Sequence, residues 1–367
     1  ARSSSGTAVS SMPSAASGLG TATAWVESLS PWPEKFGLER MRALLAELGE
    51  PQRAFPSVHV VGTKGKSTAT RTIAAYLERE GLRTAAYTSP HVSGWAERIQ
   101  VGGEEVDFEA AVERVRPAGE RLGATQFEVL TAAALAAFAA AAVDVAVVEA
   151  GLGGRLDATN VVDAPVVLLT NVGFEHTEVL GESHEEIAKE KLEVAHAARV
   201  VVMSDNTFRH LVPAGVQVVV GGAREAAEAF VGRALVGGDV EVALPGRLER
   251  RDGEIRDGAH TPEAIDWLLQ QLPGDEYVLC VSILADKDAE EILRRLAQVG
   301  DTLVATQSSN PRALPAAELA GLAAAHFPRV ETRDDPLEAH ARARELAGPA
   351  GHVLVTGSLY LLADLPQ

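Results

Sequence analysis

The sequence predicts an α/β protein with two domains, each built around a mostly parallel β-sheet. Short apolar runs rich in valine and isoleucine alternate with longer segments of helical periodicity, which is typical of β-α-β units. A chain of 367 residues, 46% of them hydrophobic, is long enough to form two separate cores. The alternation is interrupted at Pro245-Gly246-Arg247. We therefore predict a first domain at 21–244 and a smaller second domain at 245–367.

Composition limits the classes of partner that the chain can bind. Its formal net charge is −18, whereas binding to nucleic acid or to a membrane surface requires a basic face. No apolar run reaches the length of a membrane span. The single cysteine, Cys280, excludes an intrachain disulfide and suits a reducing compartment. We therefore expect a cytoplasmic protein with no nucleic-acid or membrane partner, and we expect it to be a monomer.

The first elements lead to a glycine-rich turn. Residues 1–20 are rich in serine, alanine and glycine without periodicity, so we expect a disordered leader. A helical pattern follows at 25–49, and a β-branched run at 57–61 predicts a strand. The next helix is expected at 69–80, because apolar residues recur on one face and Gly81 is a typical stop signal.

The turn between that strand and that helix has the composition of a phosphate-binding loop. Gly62 and Gly65 can adopt backbone angles that point amide groups at an anion, and the following helix directs its N-terminus at the same point. Lys66 would reach the outer phosphates, and Ser67 or Thr68 would offer a hydroxyl to Mg2+. The spacing is shorter than that of a strict P-loop, so a glycine-rich turn without a ligand is the alternative. We predict a P-loop ATPase-like first domain.

Polar residues follow three later strands of the predicted first domain. Ser89 comes after a strand at 83–88, Glu149 ends an apolar strand, and His176 follows another. The carboxyl ends of parallel strands converge on the ligand site in an open α/β sheet. Taken singly, these residues could equally be a turn serine, a structural cap and a structural histidine. Asp157 follows a glycine-rich turn and would face the same ligand.

The remaining elements complete two alternating patterns. Ser183 with Glu186 forms a capping box that starts a helix, on which Lys189 and Lys191 occupy different faces. In the first domain we also predict a hairpin at 97–106, strands at 143–149, 166–169, 200–203 and 216–220, and helices at 127–142 and 223–230. In the second, Rossmann-like domain we predict helices at 262–272, 288–299, 315–326 and 336–347, and strands at 277–283, 303–306, 330–332 and 353–355.

Several motifs in a fixed order then make a family resemblance visible. They are Gly62-Thr63-Lys64-Gly65-Lys66-Ser67, Thr88-Ser89-Pro90-His91 with Glu97-Arg98-Ile99, Phe127-Glu128-Val129-Leu130-Thr131, the run from Glu149 to Asn160, His176 with Leu180-Gly181, Ile187-Ala188-Lys189-Glu190-Lys191, Pro245-Gly246-Arg247, Asp257-Gly258-Ala259-His260 and Gly357-Ser358-Leu359-Tyr360. With these motifs the chain resembles the folylpolyglutamate synthase/dihydrofolate synthase family of the Mur ligase superfamily.

The resemblance implies an ATP- and Mg2+-dependent ligase that joins L-glutamate to a folate or dihydropteroate carboxylate through an acyl phosphate. It implies four sets of site residues. The ATP-binding set is Gly62, Thr63, Lys64, Gly65, Lys66, Ser67, Thr68, Arg247 and Asp257. The metal set is Ser67, Ser89, Glu149, His176 and Lys191, and the substrate set is Asp157, His260, Ser358 and Tyr360. The catalytic set is Lys66, His176, Lys191 and His260.

The resemblance also implies a modified lysine. Lys191 lies 15 residues after His176, as does the lysine that becomes a carbamate in this family. Desolvation beside a cationic site would favour the neutral amine that captures CO2. The alternative is that Lys191 pairs with Glu178 or another acid on the helix surface.

Some positions depart from the pattern of the family. The phosphate loop usually reads G-T-N-G-K-G-S, so Lys64 and Ser67 differ, and Thr261 stands where D-G-A-H-N-P has asparagine. We expect the extra charge of Lys64 to act at the nucleotide. The segment between Lys191 and Arg247 is short and lacks the H-Q-x-x-N-A motif that supports adenine, which makes a non-catalytic nucleotide-binding homologue one alternative. A Mur ligase acting on a UDP-sugar is the other, although the roughly 35 patterned residues before the loop are fewer than its additional domain needs.

Overall fold

The computed structural model describes residues 21–174, 176–274 and 276–366, and it confirms the α/β fold class. The expected disordered leader at 1–20 lies outside the described residues. Two sheets are present, one of eight strands and one of six. Among the described residues, no helix combines the length and the apolar character that crossing a membrane requires. The exact boundary at 244/245 stays a prediction.

The first sheet is parallel except at one edge. Its strands are β1 (Ser57–Val61), β2 (Thr84–Tyr87), β3 (Ile99–Val101), β4 (Glu104–Glu105), β5 (Val145–Glu149), β6 (Val166–Leu169), β7 (Val200–Met203) and β8 (Gln217–Val220). They are ordered β4-β3-β2-β5-β1-β6-β7-β8, and β3 runs antiparallel to both of its neighbours. The hairpin expected at 97–106 is therefore confirmed.

Helices cover both faces of this sheet. They are α1 (Thr21–Ser28), α2 (Glu39–Glu47), α3 (Lys66–Arg79), α4 (Phe108–Leu122), α5 (Gln126–Ala140), α6 (Thr177–Leu180), α7 (His184–Leu192) and α8 (Ala223–Val231), with short 3-10 turns at 51–53, 95–98, 193–197 and 209–211. The pattern at 25–49 forms two helices instead of one, because Pro31 and Pro33 interrupt it. Helix α4 was not predicted from the sequence; the Asp107 side chain caps it by accepting a hydrogen bond from the amide of Ala110 at 3.0 Å.

The central strands are buried on both faces, which explains why they read as continuous apolar runs. Every residue of β1 and β5 is buried. One core lies between the sheet and α1, α2, α4 and α5, and includes Leu44, Leu130 and Phe138. A second lies on the opposite face and includes Ile73 and Leu77 of α3. The sheet therefore serves as a rigid platform for its loops.

The strand register brings the polar strand ends to one edge. Val60 of β1 is paired with Glu149 of β5, and Val61 is paired with Leu169 of β6. Tyr87, the last residue of β2, is paired with Val148 of β5. The loops after these four strands therefore leave the sheet side by side, as expected for a ligand site in an open α/β sheet.

The second sheet has the order β13-β12-β11-β14-β10-β9. Its strands are β9 (Glu249–Arg251), β10 (Glu254–Arg256), β11 (Tyr277–Val281), β12 (Thr302–Ala305), β13 (Arg329–Thr332) and β14 (His352–Thr356). Its helices are α9 (Pro262–Gln271), α10 (Ala289–Leu296), α11 (Ala316–Ala323), α12 (Pro336–Ala347) and α13 (Leu359–Ala363). Only the β9–β10 hairpin is antiparallel, and the sequence analysis did not predict it.

The two sheets meet at a packed junction around the expected hinge. Val92, from the loop after β2, is buried in a cluster of the second domain with Leu361 and Leu362. Gly246 has φ +62, and its carbonyl accepts a hydrogen bond from the amide of Gly258 at 2.9 Å. A Cβ at Gly246 would lie 2.6 Å from Leu362 and 3.1 Å from Val92. Only glycine therefore fits this position without displacing the junction.

We expect Gly246→Ala to lower the free energy of unfolding by about 2–3 kcal/mol, because it combines a left-handed backbone with a contact that is too close. Urea denaturation of the full chain measures the change. Gly232→Ala is the matched control, since Gly232 also has a positive φ but open space around it. That variant should lose only about 1 kcal/mol. Equal losses in the two variants would contradict the close junction.

Candidate active site

The phosphate loop follows β1 directly, and its glycines have the backbone angles that the sequence predicts. Gly62 has φ +143 and Gly65 has φ +77, and a Cβ at Gly62 would overlap the hydroxyl of Thr170. Helix α3 begins at Lys66, three residues earlier than expected. Lys66 and Ser67 therefore belong to the first helical turn, where backbone amides remain free for an anion.

Lys66 lies folded against its own loop. Its Nζ donates hydrogen bonds to the carbonyl oxygens of Gly62 at 3.0 Å and Thr63 at 3.3 Å. These bonds hold the ammonium group inside the curve of the loop, where a bound phosphate would lie. Contact of Lys66 with the outer phosphates of ATP stays a prediction.

Ser67, Ser89 and Glu149 form one hydrogen-bonded cluster. The Ser67 hydroxyl donates to Oε1 of Glu149 at 3.1 Å, and the Ser89 amide donates to Oε2 at 3.0 Å. Glu149 is 1% exposed, whereas Thr68 is exposed. Of the two hydroxyls that the sequence left open, Ser67 is therefore the one that faces the carboxylate.

The oxygens of this cluster fit a magnesium ion. Adjacent ligands around octahedral Mg2+, at about 2.1 Å from the metal, lie about 3.0 Å apart, close to the 3.1 Å between Ser67 Oγ and Glu149 Oε1. Burial raises the pKa of Glu149, while Lys66, the Ser89 amide, Ser67 and Arg247 favour its charged form. A cation at Oε1 would compensate for that burial.

His176 does not join this cluster. It precedes α6 with a left-handed backbone, φ +45, and its side chain is 52% exposed. Nδ1 lies 3.7 Å from a carboxylate oxygen of Glu178. Throughout the described ranges, no group of three or more His, Cys, Asp and Glu side chains is arranged to hold a metal. Metal ligation by His176 therefore stays a prediction.

Lys191 and Lys189 point in different directions, as their helix positions predict. Lys191 is 1% exposed, and its Nζ donates to the carbonyl of Gly62 at 2.9 Å. Lys189 is exposed. The side chain of Lys191 is therefore buried beside the phosphate loop. Pairing of Lys191 with an acid and its modification to a carbamate both stay predictions.

Asp157 is turned into its own loop. Its Oδ2 accepts a hydrogen bond from the Leu152 amide at 2.7 Å, and Oδ1 accepts bonds from the amide of Thr159, at 3.0 Å, and from its hydroxyl. Burial raises its pKa, and these donors oppose the change. Asp157 thus shapes the glycine-rich turn after β5. Contact of its carboxylate with a pterin stays a prediction.

The second domain contributes Arg247, Asp257 and His260. Asp257 accepts hydrogen bonds from the amides of Leu248 at 2.7 Å and Ala259 at 2.8 Å, and burial raises its pKa. The charge of Arg247 acts on both Asp257 and Glu149. Arg247 therefore acts on one carboxylate in each domain.

His260 has a defined tautomer. Its Nδ1 lies 2.7 Å from the carbonyl of Gly258, and because a carbonyl only accepts, Nδ1 carries the proton. Burial lowers its pKa, and the charges of Lys287, Arg247 and Lys64 act in the same direction. The imidazole therefore favours its neutral form, with Nε2 as a proton acceptor.

Ser358 and Tyr360 have different environments. Ser358 is buried, and its hydroxyl caps α13 by accepting a hydrogen bond from the Tyr360 amide at 3.1 Å. Tyr360 is 43% exposed and acts electrostatically on Arg98 of the first domain. Tyr360 is thus free to contact a ligand, while the Ser358 hydroxyl is already engaged. The substrate roles of both stay predictions.

Three residues that line the site were given no role from the sequence: Thr170, Asn171 and Arg98. Thr170 and Asn171, which directly follow β6, bind the backbone of the phosphate loop. Arg98 is buried, donates through Nε to Nδ1 of His91 at 2.9 Å and lies over the ring of Trp95. No described residue accepts a hydrogen bond from its terminal nitrogens, which are not sealed from solvent. The position of Asn171 just after a strand could have indicated a role at the site. Arg98 stood out in the sequence only as part of the motif Glu97-Arg98-Ile99.

Comparison with known proteins shows the family to which the chain belongs. The chain matches the Mur ligase middle domain over residues 60–243 and the Mur ligase glutamate ligase domain over 246–359. It is 33% identical to the dihydrofolate synthase/folylpolyglutamate synthase of Mycobacterium tuberculosis, over 83% of this chain and 82% of the relative. The chain belongs to the folylpolyglutamate synthase/dihydrofolate synthase family of Mur ligases. The expected class, an ATP-dependent ligase that forms a carbon–nitrogen bond, is confirmed.

Solved structures of family members have the same fold. Folylpolyglutamate synthase of M. tuberculosis, complexed with ADP and AMPPCP, superimposes with a TM-score of 0.81 at 32% identity and covers 89% of this chain and 94% of that one. Escherichia coli FolC in complex with DHPP and ADP gives 0.81 at 28% identity, covering 96% and 97%. The Yersinia pestis bifunctional enzyme complexed with AMPPNP and an Mn ion gives 0.79 at 27%, covering 96% and 98%.

We expect Gly154→Ala to reduce turnover by at least about tenfold, because it displaces the helix that carries Lys191. A Cβ at Gly154 would lie 2.6 Å from the carbonyl oxygen of Lys191 and 2.7 Å from that of Glu190, and these backbone atoms cannot rotate away. Glutamate-dependent ADP release measures turnover. Gly222→Ala, at a glycine with open space around it, is the control and should remain active. An active Gly154→Ala enzyme would show that α7 can shift without consequence.

Proposed function

We propose that this protein joins L-glutamate to the carboxylate of a folate or of dihydropteroate, with ATP activating that carboxylate. The observation that carries the proposal is the cluster of Ser67 and Glu149 next to the phosphate loop, at the cleft to which the second domain contributes His260. Membership of the folylpolyglutamate synthase/dihydrofolate synthase family supports it.

In the proposed reaction, a carboxylate oxygen attacks the γ-phosphorus of ATP, and the bond to ADP breaks. The resulting acyl phosphate is attacked at its carbon by the glutamate amine, and inorganic phosphate leaves as the amide forms. Lys66 and the loop amides stabilise the charge that develops on the transferred phosphoryl group. The γ-phosphate would lie where the Lys66 ammonium now contacts Gly62 and Thr63.

Magnesium, when bound, would neutralise phosphate charge, and Ser67 with Glu149 are the residues that would hold it. Ser89 is adjacent through its amide and is a further candidate ligand. The remaining ATP contacts in this proposal come from Thr63 and Thr68 of the loop and from Arg247 and Asp257 of the second domain, whereas the side chain of Lys64 is directed at Thr261 of the second domain.

His260 is proposed as the group that receives a proton from the glutamate amine. An ammonium group cannot attack the acyl phosphate, so a nearby base is required. With its proton held on Nδ1 by Gly258, the neutral imidazole offers Nε2 to that amine. Tyr360 of the second domain is proposed to contact glutamate, with Ser358 positioning the start of its helix.

Carbamylation of Lys191 is also part of the proposal. The amines of Lys66 and Lys191 both donate to the Gly62 carbonyl, at 3.0 and 2.9 Å. Lys191 is also buried beside this carbonyl. In the proposed modification, its amine in the neutral form adds to CO2 and loses a proton, which gives an anionic carbamate.

The proposal retains three further expectations from the sequence. Asp157 is the expected pterin contact, and His176 is an expected ligand and catalytic group. The protein is expected to work in the cytoplasm as a monomer.

We expect ADP release to require Mg2+, glutamate and a pterin carboxylate together, because the acyl phosphate forms only on a bound carboxylate. Dihydropteroate and tetrahydrofolate are offered separately in a coupled ADP assay, which identifies the acceptor. Lys66→Ala should lose at least about a hundredfold in turnover. Its melting temperature should stay close to that of the wild type, since the Lys66 bonds lie at the site and not in a core.

Two results would oppose the proposed ligase activity. Steady ATP hydrolysis at full rate without a pterin would show that the phosphoryl group goes to water. Tight ADP binding without any glutamate-dependent turnover would favour the non-catalytic homologue.

We expect Lys191→Ala to lose most activity and to recover part of it in the presence of acetate, which restores an anionic oxygen at the site. Lys189→Ala should be nearly unchanged, because Lys189 is exposed. Native mass spectrometry of the wild-type protein should show the added mass of CO2, and bicarbonate-free buffer should diminish it. Equal effects of the two substitutions, or an unmodified wild-type mass in bicarbonate, would contradict the carbamate.

A further inference from the structure

Lys64 connects the two domains. Its Nζ donates a hydrogen bond to Oγ1 of Thr261 at 3.0 Å and lies 3.5 Å from a carboxylate oxygen of Glu263. Both acceptors belong to the start of α9 in the second domain, where Thr261 is the N-cap and Glu263 lies in the first turn. We expected the ammonium group of Lys64 to act at the nucleotide. In this structure it points across the cleft to the second domain.

The backbone of Lys64 is held at both of its polar groups. Its amide donates to Oδ1 of Asn171 at 2.9 Å, and its carbonyl accepts from Nδ2 of Asn171 at 2.9 Å and from the Thr170 hydroxyl at 2.8 Å. The neighbouring Thr63 amide donates to the Asn171 carbonyl at 3.0 Å. The Cα of Lys64 is thus anchored to the end of β6. These bonds fix the point from which its side chain extends towards the second domain.

The same contact lies beside His260. Thr261 directly follows His260 in the chain, and the charge of Lys64 is one of those that lower the pKa of His260, after burial and after Lys287 and Arg247. Any shift of the start of α9 relative to the phosphate loop therefore moves the imidazole relative to the transferred phosphoryl group.

Both partners of the short bond are departures from the family pattern. The usual loop has asparagine where this chain has Lys64, and the usual D-G-A-H-N-P motif has asparagine where it has Thr261. An asparagine side chain is too short to make the same bridge from the anchored Lys64 backbone. The family pattern therefore does not account for this contact. It joins two altered positions, of which Lys64 supplies the donor and Thr261 the acceptor.

We propose that Lys64 is a positioning residue that holds the first turn of α9, and with it His260, against the phosphate loop before nucleotide binds. The charge of Lys64 is paired with that of Glu263, and the hydrogen bond to Thr261 orients the Lys64 side chain towards α9. The role of His260 in this inference rests on the proposed ligase function. The contact of Lys64 with α9 does not depend on that function. Because Glu263 is 74% exposed, the pair contributes little to folding stability and can exchange without unfolding.

The test compares Lys64→Asn, which restores the family residue, with Glu263→Gln and the double variant. We expect Lys64→Asn to raise KM for glutamate roughly threefold to fivefold while kcat changes less, the size expected for loss of a partly exposed ionic contact. KM for ATP should stay within about twofold. Glu263→Gln should act in the same direction, and the double variant should add little, because both substitutions break one contact.

Small-angle scattering of the nucleotide-free protein supplies a readout that does not depend on activity. Lys64→Asn should have a larger radius of gyration than the wild type. Lys35→Asn removes another exposed lysine, outside the loop, and is the control for net charge. It should match the wild type in scattering and in KM for glutamate.

Two results would overturn the inference. A loss of ADP affinity of more than about tenfold by calorimetry in Lys64→Asn, with unchanged scattering, would make Lys64 a phosphate ligand. Wild-type values of KM for glutamate and of scattering in Lys64→Asn would show that the contact positions nothing. If the wild type releases no ADP in response to glutamate, the proposed function fails, and scattering with ADP titration still decides the role of Lys64.

Discussion

The site depends on one buried carboxylate. Glu149 ends a central strand and is 1% exposed, and a carboxylate in that position is costly unless hydrogen bonds or a cation compensate. The Ser67 hydroxyl and the Ser89 amide supply two such bonds. These donors belong to the segments that follow β1 and β2, so a single side chain ties three neighbouring strand ends together. The same oxygens that need compensation are those suited to a hard divalent cation.

A second set of contacts fixes the phosphate loop from the other side. Thr170 and Asn171 bind the backbone of Lys64, and Lys191 reaches the Gly62 carbonyl from α7. Helix α7 is in turn held against the turn after β5 by a glycine that leaves no room for a side chain. The loop is therefore shaped before any nucleotide arrives, so little ordering remains to be done on binding.

The second domain completes the cleft with groups of a different kind. It contributes Arg247, His260 with its Nδ1 proton held by the Gly258 carbonyl, and Tyr360, while the first domain carries the phosphate loop and the proposed metal ligands. Such a division suits a reaction in which an acyl phosphate must be protected from water until the amine arrives. Val92, inserted from the first domain into a core of the second, shows that the junction is packed and not merely tethered.

Local patterns in the residue order were sufficient for the elements and for much of the site. Buried parallel strands read as continuous apolar runs, so β1 and β6 have the predicted bounds. The spacing G-x-x-G-K-S likewise predicted the unusual backbone angles of Gly62 and Gly65, because these depend on local geometry. Opposite helix faces likewise separated Lys191 from Lys189. Only the tertiary structure decided which hydroxyl meets Glu149, that Asp157 turns into its own loop, that His176 lies outside the cluster, and that Lys64 crosses to Thr261. Each of these depends on side chains from segments distant in sequence, whose relative positions no local periodicity encodes.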